Sequence, residues 1–298
     1  MREYGFELRL CAHCEDGERL VARQLGAGVE GRRVMDVVLL EPGPGFAERA
    51  AITPETIPPR AIESDVGPGR ATPLREAFDC HPETARETVE TAIDVGFFER
   101  TRRAGQPALR QTVRYPDDWV ASLVGVECKP DLGRPGAMET QLLTDAHLAI
   151  FDAVVLATAS HVTGAHLNRL PDAVGVWEFD PEAGERMVVR EPTPLRTRES
   201  GVEILERTPA RTDVRVATAD EKARRRRRIA ERAYGKGWRP TDLPACARVD
   251  PDADGVAHCP WKGRVVRPGV DCGEDCDGLE PGAAPTIDVA ARRAARSA

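Results

Sequence analysis

The sequence has few lysines, few aromatic residues and no long apolar run. Only four of its 42 basic residues are lysine, and Phe, Trp and Tyr make up 5% of the 298 residues. Its 49 acidic residues give a net charge of -7, which is no general reason to expect a nucleic-acid partner. An acidic chain that uses arginine in place of lysine is typical of a GC-rich genome and a salt-adapted organism, so this bias concerns habitat rather than activity.

The absence of long apolar runs limits where the protein can act. No run of about eighteen apolar residues is present, so we expect no membrane-spanning helix and no membrane partner. The N-terminal stretch MREYGFELRL lacks the apolar segment of a secretory signal, which predicts a cytoplasmic protein. In that compartment the eight cysteines are more typical of metal ligands or buried side chains than of disulfides.

Hydrophobic periodicity predicts an α/β fold. A near-continuous apolar run at 151–158 is typical of a strand covered on both faces, and the alternation of strands and helices around it indicates at least one parallel strand pair. The predicted helices are 6–15, 138–151 and 161–171, and the predicted strands are 20–26, 32–42, 119–129, 151–158 and 173–180.

The segment between the second and third strands predicts an insertion. Residues 43–72 are rich in Pro and Gly and are expected to be irregular, whereas 73–78 and 82–100 are predicted helices. A basic hairpin over 97–115 follows them. Two helices before a basic hairpin are typical of a winged-helix unit, and equally of a small α+β insertion that only packs.

The organisation changes after residue 192. Nine basic and two acidic residues occur over 221–240, which predicts a basic helix within an acidic chain. We therefore divide the chain into a core of 1–42 and 117–192, the insertion 43–116, a linker and basic helix over 193–242, a Cys-rich segment over 243–284, and a tail over 285–298.

Three residues in strand positions suggest phosphodiester chemistry. Glu127 and Lys129 are two apart on a predicted strand, so their side chains share a face. Asp36 is a carboxylate inside another apolar strand, where something must satisfy it. Two converging carboxylates, Asp36 and Glu127, would bind Mg²⁺ or Mn²⁺, and Lys129 would orient the attacking water and stabilise negative charge.

At this point the chain resembles the PD-(D/E)xK, or restriction-endonuclease-like, nuclease superfamily, and also an uncharacterised haloarchaeal family. The resemblance implies a mixed central sheet flanked by helices. It also implies that Glu7 on the first helix and Gln141 on the helix after the E-x-K strand support Asp36, Glu127 and Lys129.

Two features depart from the superfamily pattern. As many as 91 positions separate Asp36 from Glu127, which requires the insertion between them. Pro116-Asp117-Asp118 also precedes the E-x-K motif, so Asp117 or Asp118 is an alternative acidic ligand.

Four cysteines form a separate pattern. Cys246, Cys259, Cys272 and Cys276 have the spacing C-x12-C-x12-C-x3-C in a segment with little apolar content. Tetrahedral Zn²⁺ coordination would supply the missing core. An iron–sulfur cluster is the rival, since some nucleases of this superfamily hold one with cysteines from both ends and Cys11 and Cys14 are available; simple reduced thiols are the third possibility.

The sequence therefore predicts a Mg²⁺-dependent DNA endonuclease or exonuclease. The alternative is a non-catalytic DNA-binding or regulatory protein on a nuclease-like scaffold. In either case the expected DNA contacts are arginines of the basic hairpin and of the basic helix, namely Arg102, Arg103, Arg110, Arg224, Arg225 and Arg228.

Overall fold

The computed structural model of the protein describes residues 2–50, 59–62, 64, 66, 71–78, 80–112, 118–134, 136–240 and 243–286. The first part of the chain contains α1 (Glu3–Cys14), β1 (Leu20–Gly26), β2 (Val34–Pro42), α2 (Phe46–Ala50), α3 (Pro59–Ile62), β3 (Thr72–Pro73), α4 (Leu74–Ala77), α5 (Pro82–Asp94), β4 (Phe98–Arg103) and β5 (Gln106–Gln111).

The second part completes the core and adds a C-terminal unit. Its elements are β6 (Val120–Cys128), α6 (Met138–Leu148), β7 (Ala153–Thr158), α7 (Gly164–Leu167), β8 (Gly175–Asp180), β9 (Glu185–Arg190), β10 (Gly201–Arg207), β11 (Thr212–Ala217), α8 (Ala219–Lys236), β12 (Asp250–Pro251), β13 (Ala257–Cys259) and β14 (Arg264–Val265).

A six-stranded mixed sheet organises the molecule. Its strand order is β1-β2-β6-β7-β8-β9. The pairs β6–β7 and β7–β8 are parallel and the other neighbours are antiparallel. The predicted mixed α/β architecture and its parallel pairing are therefore confirmed.

Each face of this sheet is covered by helices. Residues of α6 and α8, such as Leu142 and Ile229, pack on one face with Leu40, Leu156 and their neighbours, and we call this the first core. The α1 helix packs on the other face, where Phe6 and Leu10 contact the second core together with Val37 and Val126. Because both faces are buried, β6 and β7 are largely apolar, as expected of central strands.

Several element boundaries differ from the sequence prediction. The helix predicted over 82–100 ends at Asp94, because Gly96 adopts a φ of 76° and turns the chain into β4. The segment 43–72, predicted to be irregular, contains α2 and α3, while 51–58 lies outside the described residues. The helix predicted over 161–171 is reduced to α7.

The linker predicted after residue 192 contains two strands that were not predicted, since β10 and β11 form an antiparallel hairpin there. The hairpin packs on α6, where Gly201 lies so close that a Cβ would be 2.3 Å from the carbonyl oxygen of Leu148. The buried Glu203 of β10 accepts hydrogen bonds from the backbone N–H groups of Val29, Glu30 and Gly31. These long-range contacts stabilise a pair of strands that local sequence does not predict.

The insertion forms a small layer of its own. Its three strands are ordered β3-β5-β4, and α3 and α5 contribute Ala61 and Val89 to a core with Phe97, Phe98 and Leu109. This confirms an α+β insertion between β2 and β6.

The Cys-rich segment forms a three-stranded unit, β12-β13-β14, beside α1. Its Val256 enters the second core, and Arg239 donates to the buried carboxylate of Glu15 at 2.5 and 3.0 Å. Arg9 of α1 also pairs with Asp252 at 2.5 Å. The unit is therefore fixed to the face of the sheet that α1 covers. Among the described residues, no helix is long and apolar enough to cross a membrane.

A buried ion pair joins α2 to α8. Arg49 and Glu231 are 1% and 3% exposed, and Nη2 of Arg49 lies 2.6 Å from Oε2 of Glu231. The same guanidinium lies 4.2 Å from the ring centroid of Tyr234 and 5.6 Å from that of Trp119. The charge of Arg49 is thus satisfied between a carboxylate and aromatic faces.

Removal of this buried pair is expected to destabilise the fold. Glu231→Ala leaves the Arg49 charge buried without its carboxylate, so the free energy of unfolding should fall by about 3–5 kcal/mol in a denaturant titration. The matched control is Glu199→Ala, because Glu199 pairs with Arg196 where both side chains are exposed, and its loss should stay below about 1 kcal/mol. Equal losses in the two variants would contradict this assignment.

The N-terminus of α8 predicts a pH dependence. Thr218 and Glu221 form a capping box, and hydrogen bonds from the backbone and hydroxyl of Thr218, with Arg215, lower the pKa of Glu221 to about 2. Because the folded pKa is below the ordinary value of 4.5, the stabilisation is complete above that pH and is lost as pH falls toward about 2. Glu221→Gln should therefore destabilise the protein at pH 7, and the difference from wild type should shrink between pH 4.5 and 3 in denaturant titrations.

The control for Glu221→Gln is Asp220→Asn, which removes a negative charge from the same helical turn outside the capping box. If Glu221→Gln lowers the free energy of unfolding equally at every pH, or if both variants show the same dependence of this free energy on pH, the capping carboxylate does not titrate as described.

Candidate functional site

Side chains of β1 and β2 alternate between the two faces of the sheet, and this alternation is interrupted at Gln24 and at Asp36. Side chains on one face of a regular strand are an even number of residues apart. In β2, however, Met35 and Val38 both lie in the first core although they are three residues apart, and the same is true of Ala22 and Leu25 in β1. The register pairs on either side place Gln24 opposite Asp36. Gln24 has a φ of 54°, a left-handed conformation that is unfavourable for a residue with a side chain. The break turns both side chains toward α1.

An acidic cluster forms where these side chains meet α1. Asp36 accepts the backbone N–H of Cys128 at 2.8 Å and Nε2 of Gln24 at 3.1 Å. The same Gln24 nitrogen donates to Oε2 of Glu7 at 3.1 Å. Among the described residues, one group has the composition and spacing of a metal site: carboxylate oxygens of Glu3, Glu7 and Asp36 all lie within 4.8 Å of one another.

Burial makes the charged form of this cluster costly. Desolvation raises the pKa of Glu7, and the neighbouring Asp36 charge adds to the effect against the opposing Arg23, whose Nη2 lies 2.8 Å from Glu7. Burial also raises the pKa of Asp36, with a further contribution from Glu3. The charged form of the cluster is thus disfavoured by burial and by the neighbouring carboxylates, and a bound cation would stabilise it.

Lys129 lies at the edge of the acidic cluster. It directly follows β6, and its Nζ is 3.6 Å from Oε2 of Glu3 while its side chain is 23% exposed. Glu3 of the first helical turn therefore connects Lys129 to the acidic cluster, whereas the predicted site combined Lys129 with Asp36 and Glu127. Glu3 and Glu7 occupy one helix face because they are four residues apart.

Glu127 lies next to the cluster but outside its group of three. Continuing the β2–β6 register places it opposite Asp36. Its Oε2 is 2.6 Å from Nη2 of Arg33, which also lies 2.7 Å from Oδ2 of the buried Asp145 on α6. Burial, opposed by Arg33 and aided by Asp36, raises the pKa of Glu127 to about 8. The side chain that was predicted as the second Mg²⁺ ligand is thus paired with Arg33, whose single charge is shared with Asp145.

The donor chemistry of the cluster fits a hard divalent cation. Mg²⁺ prefers carboxylate oxygens and keeps several waters. Glu3 is half-exposed, which leaves one side of the cluster open to solvent, while Glu7 and Asp36 form its buried side. Glu3, Glu7 and Asp36 could therefore hold the ion, with Glu127 beside them.

Other predicted site residues lie elsewhere. Gln141 is half-buried on α6, one turn before Asp145, and its side chain makes no hydrogen bond within the described part of the chain. Asp118, the alternative ligand, is exposed just before β6, and Pro116 and Asp117 lie outside the described residues.

The four C-terminal cysteines are only partly gathered. Cys246 and Cys259 are buried in one small core with Cys272 packed against it. All four are described, yet no three of their sulfurs lie within 4.8 Å of one another. Hydrogen bonds from the backbone of Glu280 and Arg248 lower the pKa of Cys246, which favours a thiolate, whereas burial raises the pKa of Cys272. Zinc or an iron–sulfur cluster stays a prediction for this unit.

Cys11 and Cys14 are buried beneath the central sheet, apart from the small core that contains Cys246 and Cys259. Both lie in the second core, and burial raises the pKa of the Cys11 thiol well above its usual value and that of Cys14 to about 11. Without a bound metal, both residues therefore pack as neutral apolar side chains of this core.

The predicted DNA-contacting arginines fall into two groups. Arg102, Arg103 and Arg110 are exposed on the β4–β5 hairpin, and Arg110 pairs with Glu99. Arg224, Arg225 and Arg228 are half-buried on α8, which packs against β1 and β2. The helix α5 that precedes the hairpin exposes four acidic side chains and one arginine, so phosphate contacts of the insertion would fall on the hairpin rather than on this helix.

Sequence reasoning missed four residues of the site: Glu3, Gln24, Arg33 and Asp145. Glu3 has the pattern of an ordinary acidic residue in a first helical turn, and Gln24 that of a polar residue in an edge strand. The contacts of Arg33 join residues 94 and 112 positions apart in sequence, which local spacing does not reveal.

One family model matches residues 20–281 of the chain. The chain belongs to DUF5787, a family of unknown function. The DUF5787 match begins at β1 and ends after β14, so the insertion, α8 and the Cys-rich unit all lie inside it. No curated protein and no solved structure matches the chain.

Gln24 is expected to support metal binding at the cost of backbone strain. Gln24→Gly removes both hydrogen bonds to the carboxylates but adopts a φ of 54° without strain. The unfolding free energy should therefore change by less than about 1 kcal/mol, because strain relief of roughly 1–2 kcal/mol offsets the lost bonds. Affinity for Mn²⁺, measured by calorimetry, should fall roughly 10- to 100-fold, as is usual when a residue that orients ligands is removed.

The comparison variant is Gln111→Gly, which removes a buried glutamine of β5 in the insertion. It should lower stability and leave Mn²⁺ affinity at the wild-type value. Unchanged Mn²⁺ affinity in Gln24→Gly would show that this amide does not position the cluster.

Proposed function

We propose that this protein is a divalent-metal-dependent nuclease that hydrolyses phosphodiester bonds of DNA. The observation that carries the proposal is the acidic cluster: oxygens of Glu3, Glu7 and Asp36 lie within 4.8 Å of one another, and the Lys129 ammonium is 3.6 Å from Glu3. A set of carboxylates beside a lysine is suited to binding a cation and a phosphate together.

The order of elements supports the same proposal. The chain runs α1-β1-β2-β6-α6-β7, with Glu7 on the helix, Asp36 on the second strand and Glu127-x-Lys129 at the end of the third. This order and these residues resemble the restriction-endonuclease-like core. Within the insertion, the sequence α3-β3-α4-α5-β4-β5 with β5 in the middle of the sheet resembles a winged-helix unit.

Each side chain has a defined task in this hydrolysis. When bound, Mg²⁺ would supply Lewis-acid chemistry, which eases ionisation of a coordinated water. Asp36, fixed by Gln24 and by the N–H of Cys128, and Glu7, fixed by Arg23, would orient their free lone pairs toward the open side of the cluster. Lys129 would stabilise the additional negative charge of the pentavalent phosphorane.

The bond changes balance with water as the only co-reactant. The water oxygen bonds to phosphorus, and the bond from phosphorus to one ester oxygen breaks. The proton lost by the water passes to solvent, and the departing oxygen takes a proton from solvent. The products are a free hydroxyl and a terminal phosphate.

Substitutions in the cluster test this proposal. Asp36→Asn and Lys129→Ala should each lower the rate of DNA cleavage in Mg²⁺ or Mn²⁺ roughly 10²- to 10³-fold, since each removes a charge used in the transition state. Substrates should include duplex, nicked, branched and single-stranded DNA, with RNA as a comparison.

Matched controls are Asp131→Asn and Lys262→Ala, an acid and a lysine outside the cluster. These variants should cleave at the wild-type rate. Equal cleavage by wild type, Asp36→Asn and Lys129→Ala would sink the proposal, as would an absence of cleavage of every substrate in both metals.

The ion pair between Arg33 and Glu127 favours a second candidate function. Glu127 lies 2.6 Å from Arg33, so in this second candidate it stabilises the fold instead of binding a metal. The protein would then bind DNA without cleaving it. That candidate predicts DNA binding that is the same in wild type and Asp36→Asn, together with no cleavage in Mg²⁺ or Mn²⁺.

The cofactor proposal has two parts. Mg²⁺ or Mn²⁺ would bind at Glu3, Glu7 and Asp36, and Zn²⁺ or an iron–sulfur cluster at the C-terminal cysteines remains a separate proposal. Elemental analysis of the purified protein tests the second part without any activity measurement.

A further inference from the structure

A groove of about 970 Å³ lies between α1 and the Cys-rich unit. The first turns of α1 form one wall, the turn between β8 and β9 contributes Pro181 and Glu182, and the Cys-rich unit forms the other wall with Arg264 and Arg267. Glu3 lines this groove and also belongs to the acidic cluster. The groove therefore opens directly onto the candidate metal site.

We infer that this groove binds a single strand of DNA with unpaired bases and leads it to the acidic cluster. The inference rests on the proposed function, which it deepens by assigning a binding surface and a substrate form. It also gives the Cys-rich unit a task, because that unit supplies one wall of the groove.

The charge of the groove fits a phosphate backbone. Four arginines and three carboxylates line it, an excess of one positive charge. Arg9 and Arg264 are held by Asp252 and Asp271. Arg267 is exposed and has no carboxylate partner among the described residues, and Arg2 is 70% exposed with only a 3.3 Å pair to Asp271. These two guanidinium groups are open to phosphates.

Tyr4 gives the groove an aromatic surface. Its ring is half-buried, and the guanidinium carbons of Arg23 and Arg267 lie 4.8 and 5.8 Å from its centroid. A positive groove with an aromatic ring is the usual arrangement for binding single strands, because unpaired bases stack on the ring. A duplex hides its base faces, so a stacking ring beside the site favours a single strand.

The position of the ring also fits the chemistry. Tyr4 adjoins Glu3 in sequence on α1, so a base stacked on it brings the neighbouring phosphates close to Glu3, Glu7 and Asp36. The wall on the opposite side is anchored to the core, since Val256 of the Cys-rich unit is fully buried in the second core and Arg239 binds Glu15. Substrate would thus meet a preformed channel.

Fluorescence anisotropy with a labelled single-stranded oligonucleotide, in buffer without added Mg²⁺ or Mn²⁺ so that the strand is not cleaved, tests the inference. Arg267→Glu should weaken binding at least about 10-fold, and Arg267→Gln should reduce the slope of log affinity against log salt by about 0.7. Tyr4→Ala should weaken binding roughly 5- to 150-fold, whereas Tyr4→Phe keeps the ring and should bind as wild type.

The matched control is Arg198→Glu, which reverses the charge of an exposed arginine outside the groove. It should bind the oligonucleotide as wild type does, and the same sequence as a duplex should bind more weakly to the wild-type protein. Unfolding midpoints show that each variant is folded. If Arg267→Glu and Tyr4→Ala bind like Arg198→Glu, or if the duplex binds as tightly as the single strand, the inference is overturned.

Asp36→Asn separates this inference from the proposed nuclease activity. If binding depends on Arg267 and Tyr4 but no DNA is cleaved in Mg²⁺ or Mn²⁺, the assignment of the groove is supported and the proposed nuclease activity is wrong. If cleavage depends on Asp36 but binding is unchanged by substitution of Arg267 and Tyr4, the nuclease activity is supported and the assignment of the groove is wrong.

Discussion

The structure of the site depends on one hydrogen bond, which the backbone N–H of Cys128 donates to the side chain of Asp36. A carboxylate thus stands where a strand carbonyl would normally accept. Gln24 on the adjacent strand donates a hydrogen bond to the other oxygen of Asp36, and to do so it adopts an unfavourable φ. Without this arrangement, Asp36 would continue the alternation of β2 into the core below α6, and Glu3 and Glu7 would have no third carboxylate.

Arginine, not lysine, holds much of the molecule together. The planar guanidinium donates two parallel hydrogen bonds, which suits buried carboxylates. Arg33 and Arg239 bind carboxylates from distant segments, and Arg226 of α8 binds Asp152 at 2.8 Å. Several basic side chains of the stretch 221–240 therefore make structural contacts, so the number of basic residues in its sequence overstates its exposed positive charge. The exposed arginines beside Tyr4 are fewer but lie next to the carboxylate cluster.

The central elements of the fold could be predicted because their signals are local. The β-branched runs of β2, β6 and β7 and the capping box and periodicity of α8 each specify their own conformation. The placement of Glu7, Asp36 and Glu127 on neighbouring elements follows from element order, whereas the position of Glu3 between Lys129 and the carboxylates was not predicted. The β10–β11 hairpin was missed because Glu203 stabilises it from 172 to 174 positions away, and the Arg33–Glu127 pair was missed for the same reason. Cysteine spacing likewise does not fix the distances between sulfur atoms.

The path of the insertion explains how Asp36 and Glu127 face each other although they are 91 positions apart in sequence. The chain leaves the sheet at Gly43 and returns at Trp119, and the N–H of Gly43 donates to the carbonyl of Trp119 at 2.8 Å. A Cβ on Gly43 would lie 2.0 Å from the carbonyl oxygen of Asp118, so only glycine allows the two ends to meet this closely. Topologically the whole insertion is the loop of a β2–β6 hairpin. Because the entropy of closing a loop grows only with the logarithm of its length, this junction can accept or lose an entire module while both strands keep their register.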